Sequence, residues 1–345
     1  MKSKKLLLVG GTNGSIHIKN YFNLISAYFD DVLVISQDKI DFHHHKTVNF
    51  SIKNPFVFLW NVFKMKRIIN KYKPSVIHVH QANSFSFLTT LANNKKTPLI
   101  ITTWGSDVLL LPEKGALYKY IVKYSLNRAD FITADAAYMK EKIIKMGIKN
   151  KIMLANFGID FETISDSSIK ENIIYSNRLH ERLYNVDKII LSFSHFIKEN
   201  SSWKLIIGAN GSETENLLKL AEKILPKNSF EFIGFVNRKE NIENYQKAKI
   251  WVSIPSSDGT AISLLEAMAY GCIPILSDLP ANKEWVKNNE NGIIVEDKLE
   301  HEFNKALNLE LESVKSRNLD LISKHATKKV NREKFYSIYN KVDYK

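Results

Sequence analysis

Short apolar runs recur along this chain with helix-length stretches between them, and midway the pattern starts again. Leu6–Val9, Val32–Ser36, Val76–His80, Pro98–Thr103, Phe131–Ala134 and Lys151–Leu154 form the first series. Ile173–Ser176, Lys204–Gly208, Phe230–Gly234, Lys249–Ile254, Ile273–Ser277 and Gly292–Val295 form the second. Apolar runs without alternation belong to strands covered on both faces, and helices between them supply the crossovers of a parallel sheet. The pattern excludes a helical bundle and an antiparallel sandwich. It predicts an α/β protein of two doubly wound, Rossmann-like domains facing across a cleft. A length of 345 residues suits that division, because single cores stop growing below it. The polar stretch Thr163–Ser168 marks the junction. The expected domains are 1–165 and 166–325, with 326–345 a terminal helix placed to pack back on the first.

The net charge of +13 admits nucleic acid, an anionic membrane surface or phosphorylated substrates as partners. No nucleic-acid motif is present, so nucleic acid is not expected. Cys272 is the single cysteine, which excludes an internal disulfide and suits a reducing compartment, and it reads as a small buried residue. Met1–Gly11 has the basic start of a leader, but its apolar run is short and ends in glycines, so it reads as a first strand. No run approaches the ~18 apolar residues of a spanning helix. A cytoplasmic protein is expected, with peripheral contact at the inner membrane face. Phe56, Leu59, Trp60 and Phe63 share one face at helical spacing, and Lys64, Lys66, Arg67 and Lys71 follow. An interfacial helix and a core helix with a solvated basic end both fit. His43, His44 and His45 read as a surface loop, since consecutive residues cannot all face one ion. His17, His78 and His80 are candidates for ligand contact or, more ordinarily, structural histidines.

The stretch most suggestive of chemistry is Ser256–Pro274. Asp258-Gly259-Thr260 reads as a loop, and Ser263–Ala269 as a helix ending near Gly271. A helix that begins after a glycine turn offers unpaired N–H groups to a phosphate or diphosphate. Glu266, two turns on, is placed to accept hydrogen bonds from a ribose or sugar diol.

At these residues the chain resembles the retaining glycosyltransferases of the GT-B class, glycosyltransferase family 4, also called glycosyl transferases group 1. Asp258-x7-Glu266 resembles that family's paired-acid motif, and Leu265–Pro274 its downstream portion. Asn156-Phe157-Gly158-Ile159-Asp160 is similar to its junction segment, Ile206–Gly211 to a Gly-rich turn, and Ser176–Leu179 to the segment supplying a diphosphate-binding arginine. The resemblance implies that Glu266 holds the ribose hydroxyls and that Asp258 sits near the donor sugar. It implies that backbone N–H groups of Gly259, Thr260, Ala261 and Ile262 surround the sugar and phosphates. Arg178 would stabilise charge on the leaving diphosphate. Gly11 and Gly14 would let the first loop approach it.

Three positions depart from the family pattern. The first acid is Asp258 rather than Glu. Where a lysine is common stands Leu183, with Arg182 one residue early as its candidate replacement. Trp104 stands where relatives carry a histidine, and an indole can only donate. Trp104 is expected to stack on a sugar or pack the cleft wall, and Asp107 to accept a hydrogen bond there or to cap the next helix. No Asp-x-Asp occurs, and the resemblance implies a metal-independent enzyme without a cofactor. The implied activity is transfer of a hexose-type sugar from a nucleotide-diphosphate donor, a UDP-sugar first, to a glycan or lipid-linked acceptor hydroxyl. Retention would follow from departure and attack on one face of the sugar. The implied setting is bacterial surface polysaccharide, lipopolysaccharide or glycolipid synthesis. Two other readings stay open: a nucleotide-sugar epimerase of the same fold class, and a basic nucleic-acid or membrane binding module.

Overall fold

The structure, a computed structural model, describes residues 3–11, 16–161 and 169–343. Gly14 with residues 12, 13 and 15, and the polar stretch Thr163–Ser168, lie outside the described residues. The chain divides into two units, Met1–Phe157 with Lys328–Lys345, and Gly158–Thr327.

The first unit opens with β1 (Lys5–Val9), α1 (Ile16–Ile25), β2 (Asp31–Ser36), β3 (His45–Thr47) and α2 (Pro55–Tyr72). It continues through β4 (Val76–His80), α3 (Ser84–Asn93), β5 (Leu99–Thr102) and two helices, α4 (Ser106–Leu109) and α5 (Ala116–Arg128). It then runs through β6 (Phe131–Ala134), α6 (Ala137–Lys145) and β7 (Lys151–Leu154). The strands form one parallel sheet in the order β3-β2-β1-β4-β5-β6-β7. Leu6, Leu7, Leu8 and Val9 are all fully buried, the signature of a strand covered on both faces.

β3 is a correction to the sequence reading, in which His43-His44-His45 was a loop. His45 opens this edge strand opposite Val34, and its Nε2 lies 2.7 Å from Ser36 Oγ. His44 Nδ1 lies 3.2 Å from Asp31 Oδ1. A three-residue edge strand exposes one side to water, so its sequence carries no apolar run.

The second unit contains β8 (Glu171–Ser176), α7 (Val186–Phe196), β9 (Lys204–Gly208), α8 (Thr214–Ile224), β10 (Phe230–Gly234) and α9 (Arg238–Lys247). β11 (Ala248–Ser253), α10 (Ile262–Ala269), β12 (Ile273–Ser277), α11 (Pro280–Lys283) and β13 (Ile293–Val295) follow. α12 (Leu299–Leu307) and α13 (Leu311–His325) complete it. The sheet is again all parallel, in the order β10-β9-β8-β11-β12-β13.

The last helix, α14 (Lys328–Asp343), belongs to the first unit. Its Phe335, Ile338 and Tyr339 are buried with Leu6, Tyr21 and Phe131. Tyr339 OH lies 2.6 Å from Tyr21 OH, and His78 Nδ1 meets both phenols at 2.8 and 3.0 Å. Thr102 Oγ1 takes the other ring nitrogen at 2.7 Å. His78 is thus a fully buried core residue with both nitrogens engaged, rather than a ligand contact.

Burial pushes the His78 imidazole down to about 3, so the ring is neutral in the folded protein. An unfolded chain takes up that proton near pH 6.5, before the folded one does. Stability attributable to this ring is therefore constant above pH 7 and falls as pH drops from about 6.5 towards 3, by up to about 1.4 kcal/mol per pH unit. Urea unfolding of His78→Gln, which keeps a donor and an acceptor, should show a pH slope between 6 and 4.5 shallower by about one proton. A slope equal to wild type would refute a neutral buried His78.

Candidate active site

β8 and β11 are neighbours in the sheet, yet β9 and β10 lie between them in the chain. Here the strand order reverses, so the loops leaving the two carboxyl ends diverge, the usual ligand position in doubly wound sheets. The residues that follow β8 are Asn177 and Arg178. The loop leaving β11 carries Asp258 and runs into α10.

Arg178 and Asp258 meet at this point. The guanidinium donates from NH2 to Asp258 Oδ2 at 2.6 Å and from NH1 to Ser263 Oγ at 2.9 Å. Its face lies over the Tyr184 ring, 4.5 Å from the centroid. Only 10% of the Arg178 side chain and 23% of Asp258 is exposed, so this pair is shielded as a surface pair is not. Burial pushes the Asp258 carboxyl above its ordinary range, while Arg178 and the Gly259 amide pull it back. Such an arginine is a fixed, planar cation at the mouth of the sheet, a shape suited to phosphate oxygens.

α10 starts beside this pair. Its N-cap is Ala261, which has no side chain able to cap, so the first-turn amides and the positive end of the helix are offered by backbone alone. The Gly259 N–H, expected to face a ligand, donates instead to Asp258 Oδ1 at 3.0 Å. The Thr260 hydroxyl accepts from Trp285 Nε1 at 3.1 Å, which ties the loop to the segment after α11. Ile262 is the first helical residue, and its side chain packs on the unit's core. The far end of α10 closes on Gly271 at φ +73, with Cys272 N–H returning to Ala267 O at 2.9 Å. Cys272 is fully buried.

Glu266 sits one face along α10. Its Oε2 accepts from Tyr245 OH at 3.2 Å and from Asn241 Nδ2 at 3.4 Å. Behind these, Asn177 Nδ2 donates to Tyr245 OH at 2.7 Å and to Asn241 Oδ1 at 3.0 Å. Tyr175 OH donates to Asn241 Oδ1 at 2.7 Å, and Trp251 Nε1 to Asn177 Oδ1 at 2.9 Å. Burial and the neighbouring Glu266 charge hold the Tyr245 phenol well above its ordinary range, so it stays a donor. A phenol and an amide thus help to orient this carboxylate. Sequence reading did not assign roles to Asn177, Asn241, Tyr245 or Tyr175. The four-residue spacing of Asn241 and Tyr245 on α9 was the available signal, but nothing in sequence says that this face meets Glu266.

Arg182 does not join this cluster. Its side chain is 91% exposed and donates to Glu213 Oε1 at 3.0 Å.

In the first unit, Gly10 and Gly11 follow β1 with φ of +149° and +94°. A Cβ on Gly10 would lie 3.0 Å from His80 Cβ, so the loop passes close over the end of β4. Trp104 donates from Nε1 to His80 Nδ1 at 3.1 Å, and its ring meets His17 and His80 edge-on. Asp107 is buried in the first turn of α4, two residues past the N-cap Gly105, so it is not the cap. Its oxygens accept from Ala82 N at 2.6 Å and Trp104 N at 3.0 Å, a brace between the loops after β4 and β5. Among the described residues no three His, Cys, Asp or Glu side chains converge as a metal cluster.

The network behind Glu266 yields a direct test. Asn177→Ala removes the partner of Trp251, Tyr245 and Asn241 together, and should lower stability by about 1–3 kcal/mol in chemical denaturation. An unchanged midpoint would mean that the network does not order the site.

Comparison with known proteins adds two family matches. The family described as "Glycosyl transferases group 1" matches residues 160–325, and the one described as "Glycosyl transferase 4-like" matches residues 5–136. The alpha-monoglucosyldiacylglycerol synthase of Streptococcus pneumoniae is 22% identical over 60% of this chain, and the aligned stretch spans 53% of that protein. The N,N'-diacetylbacillosaminyl-diphospho-undecaprenol alpha-1,3-N-acetylgalactosaminyltransferase of Campylobacter jejuni is 24% identical over 76% of this chain and 75% of its own length. Among solved structures, Anabaena HepE in complex with UDP superposes with a TM-score of 0.82 at 14% identity, covering 98% of this chain and 100% of that one. That likeness shows the fold, two α/β domains of the GT-B type.

Proposed function

This chain belongs to the group 1 glycosyltransferases of the GT-B fold, and from that premise we propose that it moves a hexose-type sugar from a nucleotide-diphosphate donor to an acceptor hydroxyl with retention at the anomeric carbon. The observation that carries the reading is the Arg178 fork beside the bare start of α10, with Glu266 aimed from the same helix. These supply a cation, backbone amides and a diol acceptor, which are the groups a nucleotide diphosphate needs.

In this reading Glu266 accepts from the ribose hydroxyls, and Tyr245 and Asn241 hold its carboxylate in orientation. The first-turn amides of α10 and Arg178 take the diphosphate. As the bond from sugar to phosphate breaks, negative charge grows on the leaving oxygen. A preorganised guanidinium and helix end stabilise that charge without reorganising. The leaving phosphate accepts the proton of the attacking hydroxyl on the same face, so no second enzyme carboxylate is required. Asp258 orients Arg178 and lies beside the donor sugar. Arg178 and the amides provide the positive charge without a metal ion or cofactor, and Arg182 stays outside the donor site.

UDP is the proposed carrier, supported by the fold shared with a protein solved with UDP. A lipid-linked acceptor in surface glycan or glycolipid synthesis is supported by relatives named for diacylglycerol and undecaprenol substrates.

Thermal shift with UDP, GDP, ADP and CMP, each with Mg²⁺ and with EDTA, tests the donor. UDP at 100 times its Kd should stabilise by roughly 2.7 kcal/mol and equally in both conditions. Stabilisation only with Mg²⁺ would overturn the metal-free reading, and no response to any nucleotide would overturn the donor site. Arg178→Ala should weaken UDP at least about tenfold while leaving uridine unchanged. Glu266→Ala should lower transfer by roughly 10²-fold or more with the fold intact. Interconversion of the free nucleotide-sugar by the purified protein would point to an epimerase.

A further inference from the structure

α2 is an 18-residue helix without a single acidic residue. Its start needs no partner, because Asn54 accepts from the N–H groups of Phe56 and Val57 and Pro55 occupies the first turn. One face is spent on the core. Phe58, Met65, Ile68 and Ile69 are buried, and Phe58 stacks on Phe87 of α3 at 5.6 Å. The opposite face is apolar too. Phe56 is 83% exposed, Trp60 66% and Phe63 60%, with Val57 and Leu59 also exposed between them. Single exposed apolar side chains are ordinary, but five within two turns make a patch, and patches mark interaction surfaces.

What borders the patch identifies the occupant. Trp60 and Phe63 line a pocket of about 500 Å³ together with Lys46, Lys64, Arg67 and Lys71. Those cations form no ion pair among the described residues. Aromatic side chains that lie ahead of unpaired cations match the layering of an anionic bilayer, with acyl boundary below and phosphates above. A contact of this face with a second copy would bury cations from both copies with no acidic side chain on α2 to pair them. A nucleic-acid backbone would use the cations and leave five apolar side chains in water. No helix among the described residues is long and apolar enough to cross a membrane, so the contact would be one of lying on the surface.

We propose that α2 seats the protein on an anionic lipid bilayer, with Phe56, Trp60 and Phe63 inserted at the interface and Lys46, Lys64, Arg67 and Lys71 on the lipid phosphates. The position serves the proposed transfer. Ser51 and Lys53, in the segment just before α2, line a groove of about 400 Å³ with Lys114 and with Gln81, Asn83 and Ser106 beyond the carboxyl ends of β4 and β5. The bilayer surface is thereby brought beside the end of the sheet where doubly wound domains take ligands, and an acceptor held in the lipid reaches that groove without leaving it. This purpose rests on the transferase reading. The docking itself does not, and it is measured separately.

Sedimentation of the purified full chain with phosphatidylcholine vesicles, and with vesicles also containing phosphatidylglycerol, tests the proposal. Binding should need the anionic lipid and weaken at about 0.5 M salt. Trp60→Ser with Phe63→Ser should reduce it about tenfold or more, and so should Lys64→Glu with Arg67→Glu. Both variants should keep the wild-type thermal shift with UDP, since these residues lie outside the donor site. Equal binding of wild type to neutral and anionic vesicles, or no binding, would overturn the proposal. So would variants that bind as wild type does. A concentration-dependent dimer abolished by the aromatic variant would assign the face to a second copy, and salt-sensitive binding of single-stranded nucleic acid in place of vesicles would assign it to that polymer. If vesicle binding holds while no nucleotide gives a thermal shift, the docking stands and the donor reading fails.

Discussion

The reversal of strand order between β8 and β11 is the constraint from which the chemistry of the second unit follows. The chain lays β9 and β10 on one side of β8 and then returns to build β11, β12 and β13 on the other. The crossovers on the two sides diverge, so nothing in the sheet itself covers the carboxyl ends at the seam. Arg178 leaves one side of it and Asp258 the other, and they close on each other at 2.6 Å. Their partial burial strengthens the attraction and raises the cost of leaving either unpaired. The pair therefore positions an arginine that would otherwise sample many rotamers, and the bare end of α10 adds a second positive element beside it.

A second, uncharged network does the complementary work for Glu266. Here the holders are a phenol and an amide, Tyr245 and Asn241, themselves fixed by Asn177 and Trp251. Hydrogen bonds of modest strength thus orient the carboxylate. The first unit uses histidines differently. His78 is buried with both ring nitrogens engaged by Tyr21, Tyr339 and Thr102, and His80, also buried, accepts from Trp104 at Nδ1.

Most of the strands were legible because a parallel sheet buries both faces of its members. That burial demands runs such as Leu6–Val9 and Ile273–Ser277, which can be read without any partner. β3 escaped because an edge strand makes no such demand. The acid at 258, the acid at 266 and the helix between them were legible because helix starts and glycine ends have local causes. The rest of the site was not. Asn241 and Tyr245 lie on a helix that reads as an ordinary polar surface, and only packing turns that face towards Glu266. Arg182 and Arg178 are four residues apart and look alike in sequence. One is buried over Tyr184 and the other is nearly free in solvent beside Glu213. The pattern of aromatic and basic residues from Phe56 to Lys71 left two readings open, since helical spacing fixes which side chains share a face but not which face meets the core.

Sequence alone therefore determined the fold class, every strand of both sheets except β3, and the position of the acidic block on a loop and a helix start. Each of these rests on interactions between residues close in the chain or on burial that every strand must satisfy. Tertiary structure decided which arginine is held, which side chains aim Glu266, that Asp107 and His78 serve the core, and that the aromatic face of α2 stays in solvent. Those outcomes depend on residues distant in the chain meeting in space, as Tyr245 meets Glu266 across 21 positions, Arg178 meets Asp258 across 80 and His78 meets Tyr339 across 261. No local propensity encodes such meetings, because the free energy that selects them arises only when the whole sheet and its helices have packed.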